Sequence, residues 1–222
     1  PTRRSSDLKV DDGGYEEIPD VITEGGTTVA KDYACVEGTH TYTFKAVDAA
    51  GNETVTDVLT VKLDTIKPVI GDAAFNEGYK NLWNWLIRKD SLEITIPVEE
   101  AGSGIESVDY ELIREDSSTT AGRASVKKAS GENSAGYTAV IYVNPDFKGK
   151  IKITAKDYAG NVSDTKMIGT DGSGIHGIIV EDHAPEITFS VNGSESMTEE
   201  YEKAPTVDVT VKDDKENVLS AG

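Results

Sequence analysis

The sequence predicts an all-β protein built as tandem β-sandwich modules, one complete and two partial. Three observations carry this expectation. A nine-residue segment recurs at the spacing of a whole domain, short apolar runs of period two fill the chain, and no stretch holds a helical period of convincing length. Of 222 residues, 37% are apolar and 28% charged, a polar balance that still supports thin cores.

The recurring segment is Phe44-Lys45-Ala46-Val47-Asp48-Ala49-Ala50-Gly51-Asn52, echoed by Ile153-Thr154-Ala155-Lys156-Asp157-Tyr158-Ala159-Gly160-Asn161. Each copy leads into a strand-like stretch and then an acid shortly before a proline, in Asp64-Thr65-Ile66-Lys67-Pro68 and in Glu181-Asp182-His183-Ala184-Pro185. A unit of this length is a domain, too long for a solenoid turn or a propeller blade. Asp-x-Ala-Gly-Asn is the hairpin turn joining the last two strands of each unit, because Gly and Asn accept positive φ and Asp bonds the backbone ahead of it.

Between the prolines the strands follow in order. Leu92, Ile94, Ile96 and Val98 alternate with Glu93, Thr95 and Pro97, and Val108, Tyr110 and Leu112 form the next run. Tyr137, Ala139, Ile141 and Val143 follow, then Ile151, Ile153 and Ala155. Such alternation turns one face of each strand to a core. Pro68 and Pro185 open the first strand of the next unit, where a missing N–H is tolerated. Beyond Pro185, Val207, Val209 and Val211 alternate with Asp208, Thr210 and Lys212 as Ile94, Ile96 and Val98 do earlier.

The repeated turn, the acid-to-proline junctions and Ala101-Gly102-Ser103-Gly104-Ile105 resemble bacterial immunoglobulin-like (Big-type) repeats, over residues 9 to 222. The resemblance implies immunoglobulin-like sandwiches that form stalks or adhesive arrays on cell-surface and secreted proteins. The expected layout is the later strands of a first module in residues 9–66, a complete module in 67–182, and the opening strands of a third in 183–222. Residues 1–8, Pro1-Thr2-Arg3-Arg4-Ser5-Ser6-Asp7-Leu8, read as one frame of a sequencing adapter joined to a gene fragment, and are expected to add nothing to the fold. On this reading both outer modules are cut, and targeting signals at either end are lost with them.

Composition narrows the partners. With 40 Asp and Glu against 22 Lys and Arg, the formal charge of −18 repels phosphate backbones and anionic lipid, so no nucleic-acid partner is expected. No run approaches the roughly 20 apolar residues of a membrane span, and no membrane insertion within these residues is expected. Cys35 is the one cysteine, with no internal partner and no metal-ligand spacing, and is expected to be a buried free thiol.

Candidate sites are few. Gly172-Ser173-Gly174-Ile175-His176-Gly177 matches G-x-G-x-x-G, but Ile178-Ile179-Val180 after it is strand-like where a nucleotide site needs a helix, so a turn or bulge splitting the last strand is expected. The only histidines are His40, His176 and His183, and neither G-x-S-x-G nor H-E-x-x-H occurs, so no catalytic residue, cofactor or metal is assigned. Trp83 and Trp85 suit either packing over the open side of a sandwich, the expectation, or a stacking platform for sugars. Asn52, Asn161 and Asn192 head glycosylation-type tripeptides and are assigned no modification.

In an immunoglobulin-like sandwich the loop after the second strand and the turn before the last strand lie at one end, where the preceding linker arrives. That places Asp64, Glu99, Glu100 and Asp157 near one junction, with Asp182, Asp213 and Asp214 at the next. By resemblance to the junctions of cadherin-like proteins, such oxygens suit Ca²⁺, while a solvated acidic surface is the plainer alternative. The function expected is a non-catalytic structural or adhesive segment of a bacterial cell-surface protein with an unknown protein or glycan ligand. The alternative is a spacer or accessory carbohydrate-binding region of a secreted polysaccharide-degrading enzyme.

Overall fold

A computed structural model describes residues 5–18, 32–129, 136–170, 174–195 and 200–213. These residues form strands and turns and contain no helix, which includes none long and apolar enough to cross a membrane. The strands gather into four sheets.

The first sheet contains β1 (Ser5–Val10), β2 (Glu16–Glu17), β3 (Gly38–Val47), β4 (Glu53–Val55) and β5 (Leu59–Leu63). Its order is β2-β1-β3-β4, and β5 also pairs with β3. β1 runs antiparallel along one edge of β3, and β5 and β4 follow one another along the other. Leu8 opposite Phe44 and Val10 opposite Tyr42 continue the period-two pattern into residues expected to stand outside the fold. That expectation is corrected for residues 5–8: Leu8 is buried and Asp7 takes an ion pair from Lys45 at 3.1 Å. Residues 1–4 lie outside the described residues.

No second sheet covers the first one among the described residues. Instead the non-strand segment 32–37 crosses Tyr42, with the Tyr33 ring edge-on at 5.9 Å and the Val36 N–H donating to the Tyr42 hydroxyl at 3.4 Å. Cys35 sits in this segment and is exposed, which corrects the expectation of a buried thiol. An irregular crossing has no alternation to turn the side chain inward.

The second sheet contains β6 (Val69–Ile70), β7 (Ala74–Phe75), β10 (Leu92–Glu99), β13 (Ser125–Lys128) and β14 (Gly136–Val143). The third contains β8 (Lys80–Leu82), β9 (Trp85–Arg88), β11 (Ile105–Arg114), β12 (Thr119–Arg123), β15 (Phe147–Asp157), β16 (Lys166–Ile168) and β17 (Gly177–Val180). One core joins these two sheets: Leu92, Ile94, Ile96 and Val98 of β10 and Ile141 of β14 pack with Val108 of β11, Ile151 and Ile153 of β15, and Ile178 of β17. The alternation in the sequence thus becomes a central two-layer sandwich with an apolar interior.

Breaks in the strands follow from backbone chemistry. β6 and β7 pair with β10 on either side of Pro97, which has no N–H to offer, while its carbonyl accepts the Gly71 N–H at 2.8 Å. β17 and β16 share one edge of β15, as β5 and β4 share one edge of β3, so in both sheets two short consecutive strands cover that edge. In the central unit the excursion between the two includes Gly174, at φ +75°, and a Thr170–Ile175 bridge; Gly172 and Ser173 lie outside the described residues. β17 follows the Gly-rich segment, so the helix a nucleotide fingerprint needs is a strand here.

The last element is a ribbon of β18 (Glu186–Val191) and β19 (Val207–Lys212), with Ile187 opposite Val211 and Phe189 opposite Val209. β6 begins one residue after Pro68 and β18 one residue after Pro185.

Candidate functional site

The alternation that builds the core also delivers two carboxylates to one end of it. In β10 the inward row runs Leu92, Ile94, Ile96, Val98, and its next position is Glu100, 5% exposed. In β15 the inward row runs Phe147, Ile151, Ile153, Ala155 and ends at Asp157, fully buried. The strands belong to opposite sheets, so their ends converge. The third member, Asp64, follows β5 at the start of the linker into β6, and one oxygen from each of the three lies within 4.8 Å of the others.

Each carboxylate is held differently. Asp64 accepts the Ser103 N–H at 2.7 Å and the Ile66 N–H at 3.2 Å, and its bonds to Ser103 hold its carboxyl below the usual range. Gly102 makes that approach feasible, since a Cβ there would lie 2.4 Å from the Asp64 carboxyl carbon. Asp157 caps its own turn, accepting the Asn161 N–H and the Asn161 Nδ2, each at 2.8 Å. Glu100 accepts the Gly102 N–H at 2.6 Å, yet burial pushes its carboxyl up and the charges of Asp64 and Asp157 push the same way.

A clamp closes over this cluster. Besides bonding Asp157, the Asn161 Nδ2 donates to the backbone carbonyls of Asp64 at 3.1 Å and Ile66 at 3.4 Å. The Ser103 hydroxyl accepts the Ala159 N–H at 3.0 Å, and Lys67 pairs with Asp164 at 2.6 Å. The linker 64–67 is therefore bonded to the turn of the central sandwich at several points. Chemically, three crowded carboxylates relieve their repulsion by holding a proton on Glu100 or by taking a divalent cation, for which hard oxygens are the suitable ligands.

Of the four acids expected here, the structure gathers Asp64, Glu100 and Asp157. It excludes Glu99, which is exposed in strand β10 opposite Val69, because adjacent strand residues face opposite ways. At the next junction Glu186 pairs with Lys212 as Val69 pairs with Glu99, so Asp213 takes the place of Glu100. Glu181, directly after β17 as Asp64 is directly after β5, takes the position of Asp64, and the expected Asp182 stands beside it, one ligand atom each of Glu181, Asp182 and His183 lying within 4.8 Å of the others. Asp214 lies outside the described residues. The spacing to the prolines carried this signal: Asp64 and Glu181 each stand four residues before one. Sequence reasoning gave no role to Asn161 beyond the turn, nor any to Gly102 and Ser103.

The other candidates fall in separate places. His40 Nδ1 meets Asp11 at 2.7 Å on the first sheet, while the His176 N–H donates to the Asn84 carbonyl at 2.7 Å. His183 lies 3.4–3.6 Å from Glu181, Asp182 and Asp146. Trp85 packs across Gly177, but Trp83 is 72% exposed at the β8–β9 turn, which corrects the expectation that both pack. Asn52 and Asn161 are bonded within their turns, and Asn192 accepts the Thr206 N–H. No family model and no curated protein matches the sequence.

Proposed function

We propose that the chain is a non-catalytic structural segment of a bacterial cell-surface or secreted protein, with tandem immunoglobulin-like sandwich units acting as a stalk or binding module outside the cell. The observation that carries this reading is the bonded linker. A connection between flexibly tethered domains needs no such clamp, whereas a stalk gains stiffness from one. Repetition of the Asp-x-Ala-Gly-Asn turn and of the acid-to-proline spacing supports the same reading, because it provides for the same joint at successive units.

The test is tumbling in solution. Amide relaxation in the first sheet and in the central sandwich is expected to report one rotational correlation time, and Asn161→Ala is expected to split it into two. Separate correlation times in the unaltered chain would remove the basis for a stiff stalk.

A further inference from the structure

The hairpin β8–β9 turns through Trp83-Asn84 alone, with Leu82 opposite Trp85 across it. Both turn residues have positive φ, +50° and +64°, values that such two-residue turns normally fill with Asn-Gly. A bulky side chain in this region is a genuine outlier, and outliers of this kind cluster at ligand-contacting positions. Here the outlier projects an indole into solvent, 72% exposed.

The turn is anchored from behind. The Asn84 carbonyl accepts the His176 N–H at 2.7 Å, continuing the parallel pairing of β9 with β17. Trp85 lies against Gly177, where a Cβ would come within 2.3 Å of its ring, and Lys148 Nζ stands 5.5 Å from that ring's centre. Trp83 is therefore a flat aromatic face on a supported turn, with the exposed Asn81 and Asn84 close to it in the chain, the Asn84 Nδ2 also lying 3.5 Å from His176 Nε2. A flat apolar surface bordered by amide donors and acceptors matches a sugar ring, whose C–H face stacks while its hydroxyls seek hydrogen bonds.

Other occupants fit less well. β8 is three residues long and carries the exposed Lys80, a poor edge for strand addition by a second copy. The net charge of −18 opposes anionic lipid, nucleic acid and acidic polysaccharide alike. We infer that the Trp83-Asn84 turn is a binding site for a neutral glycan, with Trp83 stacking on a pyranose ring and the neighbouring amides meeting its hydroxyls. This goes beyond the stalk reading and does not depend on it, since a stiff or a flexible array would present the same turn.

The experiment titrates the whole chain with neutral oligosaccharides of the β-glucan, xylan, chitin and α-glucan classes, and follows the indole N–H signals. At least one class is expected to shift the Trp83 signal saturably, with a dissociation constant on the order of 1 mM. Trp83→Ala is expected to weaken binding by about tenfold at an unchanged melting temperature, and Trp83→Tyr to retain most of it. Three results would each overturn the inference: no shift with any neutral class, equal binding by Trp83→Ala, or a shift produced only by raising protein concentration or adding lipid vesicles. The direct indole readout in the unaltered chain keeps the test decisive even if a variant folds poorly.

Discussion

Asn161 reaches back 97 positions to the backbone carbonyl of Asp64, which accepts its Nδ2 at 3.1 Å. The same nitrogen bonds the Asp157 carboxylate, so one amide closes a turn and fastens a linker. Its counterpart Asn52 donates only to Asp48 in the bonds of the described residues.

That asymmetry separates two otherwise matched substitutions. Asn161→Ala is expected to destabilise the central sandwich by about 1–3 kcal/mol, since it leaves partly buried acceptors without a donor. Asn52→Ala should cause a smaller loss, confined to its own sheet. Urea unfolding followed by residue-resolved amide exchange measures both; equal effects would show that the linker bonds contribute nothing.

Gly149 is the most constrained position in β15. A Cβ there would sit 2.1 Å from the Ile113 carbonyl oxygen, in backbone that has no flexible end to yield. Gly149→Ala is expected to cost about 3 kcal/mol or more through displacement of β11 from β15. Gly160→Ala, with nothing within 4 Å but φ at +99°, should cost about 1 kcal/mol. Thermal melts of the two variants rank them.

The carboxylate cluster gives the stability a pH dependence. Glu100 titrates above its ordinary 4.5 in the folded chain, so the fold binds more protons than the unfolded chain between the two pKa values. Its contribution is complete below pH 4.5 and is lost as pH rises through the folded value. Asp64, held below 3.8, acts oppositely and only at lower pH. Glu100→Gln should therefore raise the melting temperature at pH 7 and flatten its fall above pH 4.5. Repeating the titration with Ca²⁺ at roughly 1 mM distinguishes the two chemistries. A cluster that holds only a proton gives the same curve, and one that takes the cation melts higher in the unaltered chain but not in Glu100→Gln.

His40 reports on the first sheet. Its bond to Asp11, 29 positions away, and its contact with the Glu37 carbonyl raise its pKa above 6.5. The stabilisation is present below pH 6.5 and fades as pH rises through the folded value. A proton NMR titration should place His40 above 6.5 in the folded chain, and Asp11→Asn should return it towards 6.5. An ordinary value in the unaltered chain would mean that β1 does not lie along β3.

Much of this was legible beforehand because strand alternation is local. The inward row of β10 follows directly from Leu92, Ile94, Ile96 and Val98, and the same count leads to Glu100 and away from Glu99. The turn chemistry of Asp157 and Asn161 was equally local. Trp83 was not, because neighbouring Leu82, Leu86 and Ile87 suggested packing, while its exposure depends on both turn residues taking positive φ. Cys35 misled for a similar reason: burial of an irregular segment is decided by what it crosses.

The all-β class, the recurring turn, the strand faces and the acids before each proline could be read from the order of residues, since all of these rest on period-two patterning and on the backbone preferences of Gly, Asn, Asp and Pro. The four acids expected at the junction were named from the sequence, but that three of them come within 4.8 Å of one another was settled by packing. Asp64, Glu100 and Asp157 come from a linker and from two strands in opposite sheets, and their approach depends on how those sheets pack and on the absence of a Cβ at Gly102. Local pattern names the face and the end of the strand on which each acid stands, while the distance between acids far apart in the chain is a property of packing.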